Sequence, residues 1–215
     1  MSRLVTFGCS HTYGHALPDC IIEYGLPGFY PSKFSWPFVL AQKANLDLVN
    51  LGMAGCSNFA ILDKIINFKL DKTDRVIVLW SYFERDMLFR TNGTRYHFRV
   101  GKPNSFYILG KKPIDYWGEI HNPIDIRMRT WYYMHHAFTY LTHTVANFNF
   151  YLVNRDKEFF ELQPGFNIPI DLTTISFEDY LEKYPRGVDN AHGGVECHKA
   201  FAQTLYEELF VNKNI

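Results

Sequence analysis

Two hydrophobic rhythms run along this chain. Residues 4–7, Leu4-Val5-Thr6-Phe7, form a short β-rich run, and residues 76–80, Val76-Ile77-Val78-Leu79-Trp80, a continuous apolar one. A run of the second kind is expected of a strand buried on both faces of a parallel sheet. Residues 46–50 and 148–153 alternate and read as two further strands. A fifth is predicted at residues 168–172, although Pro169 weakens it. Between these runs the spacing becomes helical. Ser35 precedes Trp36-Pro37, a helix start with proline in the first turn. Ser57 precedes Ile61, Leu62, Ile65, Ile66 and Leu70, which share one helix face. Residues 127–147 repeat the pattern with Trp131, Met134, Phe138 and Leu141, and residues 196–210 with Phe201, Ala202, Leu205 and Leu209. A shorter helix is predicted from Ser176 to about residue 184. Strands followed by helices imply a parallel sheet covered on both faces.

Two stretches break the rhythm. Residues 15–31 are rich in glycine and proline and predict a long irregular loop. Residues from about 90 to 122 carry Asn92-Gly93, a tight-turn signal, and predict an insertion with hairpins after the third strand. Its aromatic residues, Tyr96, Phe98, Phe106, Tyr107, Tyr116 and Trp117, suit either a small satellite core or a cleft wall for sugar stacking.

Composition narrows the classes. The 215 residues suffice for one domain with a sizeable core, so 1–215 is read as a single unit. Lys+Arg and Asp+Glu are both 22, which supplies no net field to draw in nucleic acid or an anionic membrane. No apolar run approaches the roughly 20 residues of a membrane helix, and Met1-Ser2-Arg3 leads straight into strand-like sequence without a secretory signal pattern. The four cysteines, Cys9, Cys20, Cys56 and Cys197, show neither CxxC spacing nor a disulfide framework, so a reduced, cytoplasmic setting is expected.

The chemistry concentrates at the two ends. Gly8-Cys9-Ser10-His11 stands where the first strand stops, and reacting groups gather at the carboxyl ends of parallel strands. Asp189-Asn190-Ala191-His192 places a carboxylate and an imidazole three residues apart, the parts a serine nucleophile lacks. Read without further context, the first stretch is also an ordinary strand-to-turn junction and the second a capping turn. Together these stretches resemble the SGNH/GDSL hydrolase family, whose first block is Gly-Asp-Ser and whose last is Asp-x-x-His. Asn50-Leu51-Gly52-Met53-Ala54-Gly55-Cys56-Ser57-Asn58 is similar to that family's glycine block after the second strand. The aspartate of Gly-Asp-Ser is Cys9 here, and the Gly-x-Asn-Asp block is missing; its place reads Trp80-Ser81-Tyr82-Phe83-Glu84-Arg85.

The resemblance implies a flavodoxin-like three-layer α/β/α sandwich with five parallel strands in the order 2-1-3-4-5. It implies a serine esterase or acyl hydrolase acting on a small ester or an O-acylated carbohydrate, with Ser10 as nucleophile, His192 as base and Asp189 orienting it. The oxyanion would rest on the N–H groups of Ser10 and Gly52, with Ser81 in place of the missing asparagine and Arg85 and Asn58 as substrate-binding candidates. No cofactor is implied. The alternative is a binding module on the same fold whose catalysis was lost with the asparagine. A metal-dependent hydrolase stands third: His11 and His15 with Cys9 or Cys20, and His192 with Cys197 and His198, are the groupings available, and neither has tight zinc spacing. Cys9 is expected to be packed. His135 and His136 are adjacent on a helix and face different ways, so they carry no role.

Overall fold

The computed structural model describes residues 2–20, 28–89, 95–99, 123–155, 157–161 and 175–212. Strand β1 (Arg3–Gly8) pairs in parallel with β2 (Asp47–Asn50) on one side and β3 (Arg75–Trp80) on the other. β3 pairs with the last strand of the sheet, Asn147–Leu152, with Arg75 opposite Asn147 and Trp80 opposite Leu152. Every residue of β3 after Arg75 is buried, as its unbroken apolar run requires of a strand covered on both faces.

The helices supply that cover. α1 is a single turn, Ser10–Tyr13. α2 (Trp36–Ala44) joins β1 to β2, and α3 (Asn58–Asn67) joins β2 to β3. The direction of travel across the sheet reverses between them, so right-handed crossovers place them on opposite faces. α2 packs on the long C-terminal helix, Val195–Tyr206, with Trp36 edge-on to Phe201 at 5.6 Å. α3 packs on α4 (Pro123–Thr144), where Phe59 meets Tyr133 at 5.5 Å. The helices begin where the capping residues predict. Ser57 accepts a hydrogen bond from the Ala60 N–H. Ser35 also stands at an N-cap, but its hydroxyl donates to Ser32 O, and the Trp36 N–H is taken instead by Nδ1 of His198.

After β3 the chain forms an antiparallel hairpin, β4 (Arg85–Phe89) with β5 (Arg95–Arg99), so the insertion begins about five residues earlier than expected. Its aromatic positions lie outside the described residues or in β5, where only the backbone is described. The last sheet strand, Asn147–Leu152, is β6. Two short helices, α5 (Lys157–Glu161) and α6 (Glu178–Lys183), precede the C-terminal helix, which is α7 and widens into a π-helical turn over Glu207–Val211.

The described sheet has four strands, in the order β2-β1-β3-β6, where five were expected. The expected fifth, at 168–172, falls outside the described residues. Beside β6 stands one isolated parallel bridge, Leu152 to Ser176. There the Phe177 and Glu178 N–H groups bond to Leu152 O and Val153 O, and the chain then enters α6. Among the described residues no helix is long and apolar enough to cross a membrane.

Candidate active site

The strand order reverses between β1 and β3, and this switch point opens a crevice at the carboxyl ends of the strands. Ser10 follows β1 and Ser81 follows β3, so the fold sets both on its rim. Gly8 lets the chain turn back so closely: a Cβ there would lie 2.1 Å from Thr12 Oγ1 and 2.8 Å from Leu79 O. The Thr12 and Tyr13 N–H groups both bond to Cys9 O, closing α1, and Gly14 leaves it at φ 81°. Cys9 is fully buried, as expected, and Ser10 is 2% exposed.

The second half of the site comes from the turn at residues 185–194. Arg186 and Gly193 form an antiparallel bridge across its base, and Asn190 closes its tip at φ 56°, a left-handed conformation that asparagine tolerates well. The turn is held against the segment after α1 by the Val188 N–H on Ala16 O, and a Cβ at Gly187 would lie 2.7 Å from that same oxygen. Residues 182 positions apart thereby meet: His192 Nε2 lies 3.0 Å from Ser10 Oγ, and His192 Nδ1 lies 2.5 Å from Asp189 Oδ2.

The electrostatics assign the protons. Partial burial works against the Asp189 charge. Against it act the His192 N–H at 2.9 Å, the imidazole and the Ala191 N–H at 3.0 Å; together they hold the carboxyl at about 2. At neutral pH the carboxylate is therefore an acceptor only, so Nδ1 of a neutral His192 carries the ring hydrogen. That leaves the Nε2 lone pair facing the Ser10 hydroxyl. The arrangement can take a proton from Ser10 and stabilise the imidazolium that results.

The other expected residues are distributed differently. The Gly52 N–H, expected to face an oxyanion, donates to Asn50 Oδ1 at 2.9 Å, while Asn50 Nδ2 donates to Thr12 O. Gly52 lies against α1, where a Cβ would sit 2.6 Å from Tyr13 N, so close backbone approach accounts for the glycine. Asn58, expected to bind substrate, is 1% exposed. Its Oδ1 accepts from the Ser81 N–H at 2.7 Å, and its Nδ2 donates to Ser81 O and Thr130 Oγ1 at 3.1 and 3.2 Å. Both amide hydrogens are thus engaged, and Asn58 is a clamp on the end of β3. The hydroxyl of Ser81 accepts from Arg85 Nη1 at 3.3 Å, which leaves its own hydrogen to donate. The Arg85 guanidinium lies over the Tyr82 ring at 5.0 Å. No described acceptor engages the Ser10 N–H.

Several solved structures align with nearly the whole chain. One is a member of the lipolytic protein G-D-S-L family from Veillonella parvula DSM 2008, 12% identical, with a TM-score of 0.50 and 98% of each chain covered. A variant of an acetyl-xylooligosaccharide esterase from Geobacillus Stearmophilus is 14% identical at a TM-score of 0.53, covering 97% of this chain and 94% of that one. A carbohydrate esterase whose active site displays divergent catalytic and non-catalytic binding functions is 10% identical at 0.59, covering 97% and 68%. The chain has the SGNH hydrolase fold. No family model matches the sequence, and a search of curated proteins by sequence returns no match.

Around the Ser10–His192 contact this SGNH fold carries three further imidazoles. His11 is buried, its ring 5.1 Å from that of His192 and 4.7 Å from Phe177, with Nε2 at 3.3 Å from the Tyr82 hydroxyl. Burial drives its pKa well below 6.5, helped by His192, His198, Arg85 and Arg186, so it stays neutral. His15 packs edge-on to His192 at 4.6 Å, and burial lowers its pKa too. His198 is pushed to about 3 by burial and by His192, and its Nδ1 lone pair holds the Trp36 N–H. The metal groupings with cysteine do not form. Cys197 is buried, with its thiol raised to about 12 by burial, and all four cysteines are free and buried. Among the described residues, His15, Asp189 and His192 have the spacing of a ligand cluster. The available sequence signal was that His15 lies five residues after Ser10, one to two helical turns on; it could not show that Asp189 would arrive from the far end.

Proposed function

We propose that the chain is a serine esterase of the SGNH family, acting as one domain, which removes a small acyl group from an ester or an O-acylated carbohydrate. The observation that carries this reading is the run Ser10 Oγ, His192 and Asp189 at 3.0 and 2.5 Å. In the proposed reaction Ser10 Oγ attacks the acyl carbonyl carbon as His192 Nε2 takes its proton. Asp189 stabilises the imidazolium. The charge developing on the carbonyl oxygen is met by the Ser10 N–H and by the Ser81 hydroxyl, with Arg85 aligning the latter. Collapse breaks the ester C–O bond, and His192 returns the proton to the departing alcohol. Water, activated by the same imidazole, then releases the acid and restores Ser10.

The near-complete burial of Ser10 favours an acyl group of acetyl size over a long chain. The acetyl-xylooligosaccharide esterase among the structural neighbours is consistent with an acetylated sugar as the alcohol half. Four free thiols suit a reducing compartment, and a cytoplasmic location is part of the proposal.

A second reading has its own support. With the Gly52 N–H bonded to Asn50 and both Asn58 amide hydrogens engaged, the site has fewer free donors than the resemblance implies. Removing one such donor elsewhere costs about 2.7–4 kcal/mol of transition-state stabilisation. A carbohydrate-binding module with little turnover follows if Ser81 does not compensate. Initial rates on p-nitrophenyl acetate and on acetylated xylo-oligosaccharides, for wild type and Ser10→Ala, separate the two. The esterase reading expects turnover that Ser10→Ala abolishes. Saturable oligosaccharide binding by both proteins, with no turnover by either, selects the binding module.

A further inference from the structure

The carboxylate of Asp189 is oriented before any ligand arrives. Its Oδ1 accepts two backbone N–H bonds, from Ala191 and His192, which turns Oδ2 toward two imidazoles. His192 Nδ1 is 2.5 Å from that oxygen and His15 Nε2 is 4.0 Å from it. The ligand atoms of the three residues lie within 4.8 Å of one another. The two rings stand nearly perpendicular, at 81°, so both can present a nitrogen to one point.

A tetrahedral zinc ion with bonds of roughly 2.0–2.1 Å to nitrogen and oxygen holds neighbouring ligand atoms about 3.3 Å apart. The 4.0 Å pair needs to close and the 2.5 Å pair to open, each by less than about 1 Å, and the His15–His192 pair, within 4.8 Å, to close by up to about 1.5 Å, which side-chain rotation at the rim of a turn supplies. The side chains of His15, Asp189 and His192 are 14%, 28% and 18% exposed, so an ion can enter and keep water as a fourth ligand.

We propose that His15, Asp189 and His192 form a binding site for a late first-row divalent ion, typified by Zn²⁺, and that its occupation switches off the Ser10–His192 pair. The inhibitory half rests on the esterase reading; the binding half does not. Two imidazole nitrogens and one carboxylate oxygen select Zn²⁺, Ni²⁺ or Cu²⁺ over Mg²⁺ and Ca²⁺, which require oxygen-rich shells. The ion takes the lone pair at Nδ1, where His192 otherwise holds the hydrogen shared with Asp189. That hydrogen leaves Nδ1 and one is taken up at Nε2, with no net release. An imidazole bonded to metal at Nδ1 and to hydrogen at Nε2 has no lone pair for the Ser10 proton. The ion is thus an inhibitor of this site and not its cofactor. Nδ1 of His15 has no hydrogen-bond partner among the described residues, so the ring lacks the outer support that makes such ligands strong. The site is accordingly reversible.

The test is isothermal titration of the EDTA-treated full chain with ZnCl₂ and, separately, MgCl₂. Wild type and Ser10→Ala are expected to bind one equivalent of Zn²⁺ with the same affinity and no Mg²⁺. His15→Ala and His15→Gln, the second keeping the volume of the side chain, are expected to bind Zn²⁺ at least about tenfold more weakly. In parallel, micromolar Zn²⁺ should inhibit ester turnover by wild type, measured against its own metal-free rate, and EDTA should restore it. Zn²⁺ affinity unaffected by either His15 substitution, or no Zn²⁺ binding at all, overturns the proposal. Binding that follows His15 in a protein without esterase activity leaves the metal site standing and removes the catalytic reading instead.

Discussion

Asn58 offers a direct way to separate two roles that the sequence alone leaves together. Its side chain holds the backbone N–H and C=O of Ser81 at 2.7 and 3.1 Å, and both residues are 1% exposed. Asn58→Ala leaves both Ser81 groups buried without a partner, at about 1–3 kcal/mol each. The Thr130 hydroxyl keeps its bond to Ile126 O, so its loss adds little. Alanine also leaves space for a water that recovers part of the deficit, giving an expected destabilisation of about 3 kcal/mol. In a chain of 215 residues that lowers the melting temperature by roughly 6–12 °C. Urea unfolding and steady-state kinetics on an acetyl ester provide the assay. If Asn58 acts by clamping Ser81, the unfolding midpoint falls and kcat drops while KM changes little. An unchanged midpoint with a raised KM would refute this reasoning, because it would mean that Asn58 touches substrate.

Two pH effects follow from the shifted groups. Asp189 titrates at about 2 against an ordinary 3.8, so its contribution is complete above 3.8 and disappears as pH falls through 2. Solvent screening reduces it to about 1 kcal/mol, and wild type should lose that much more than Asp189→Asn between pH 4 and 2 in acid unfolding. His198 titrates at about 3 against 6.5, so the fold refuses a proton that the unfolded chain accepts, and stability declines as pH falls from 6.5 toward 3. Between pH 6.5 and 5 the wild type should lose about 2 kcal/mol more than His198→Asn, which retains an acceptor for the Trp36 N–H; equal slopes in urea titrations would contradict this.

Much of the fold was legible because burial on both sheet faces leaves an unmistakable pattern. The run from Val76 to Trp80 could only be a central strand, and Ser57 caps α3 as its position predicts. The short helix after Ser176 was also legible, as α6, but other short elements were not. α1 has four residues, too few to display a helical period, and the Ser176 bridge to Leu152 depends on long-range placement that local pattern does not encode. At the site, Ser10, Asp189 and His192 were readable from motif order, and the turn at Asn190 and the approach at Gly187 explain how they meet. Gly52 and Asn58 were readable only as residue types. A glycine needed for its N–H and one needed for its missing Cβ look the same in sequence; only the 2.6 Å approach to Tyr13 N tells them apart. His15 reaches the cluster through long-range packing that local sequence does not encode.

The central claim is that Ser10 is an activated nucleophile, and covalent labelling addresses it directly. Wild type, Ser10→Ala and His192→Ala would be treated with a fluorophosphonate probe, and the modified peptide located by mass spectrometry. The expected result is one phosphonyl group on Ser10 in the wild type, none in Ser10→Ala and a strongly slowed reaction in His192→Ala. A wild type that takes up no label, or a label that persists in Ser10→Ala, would contradict the account.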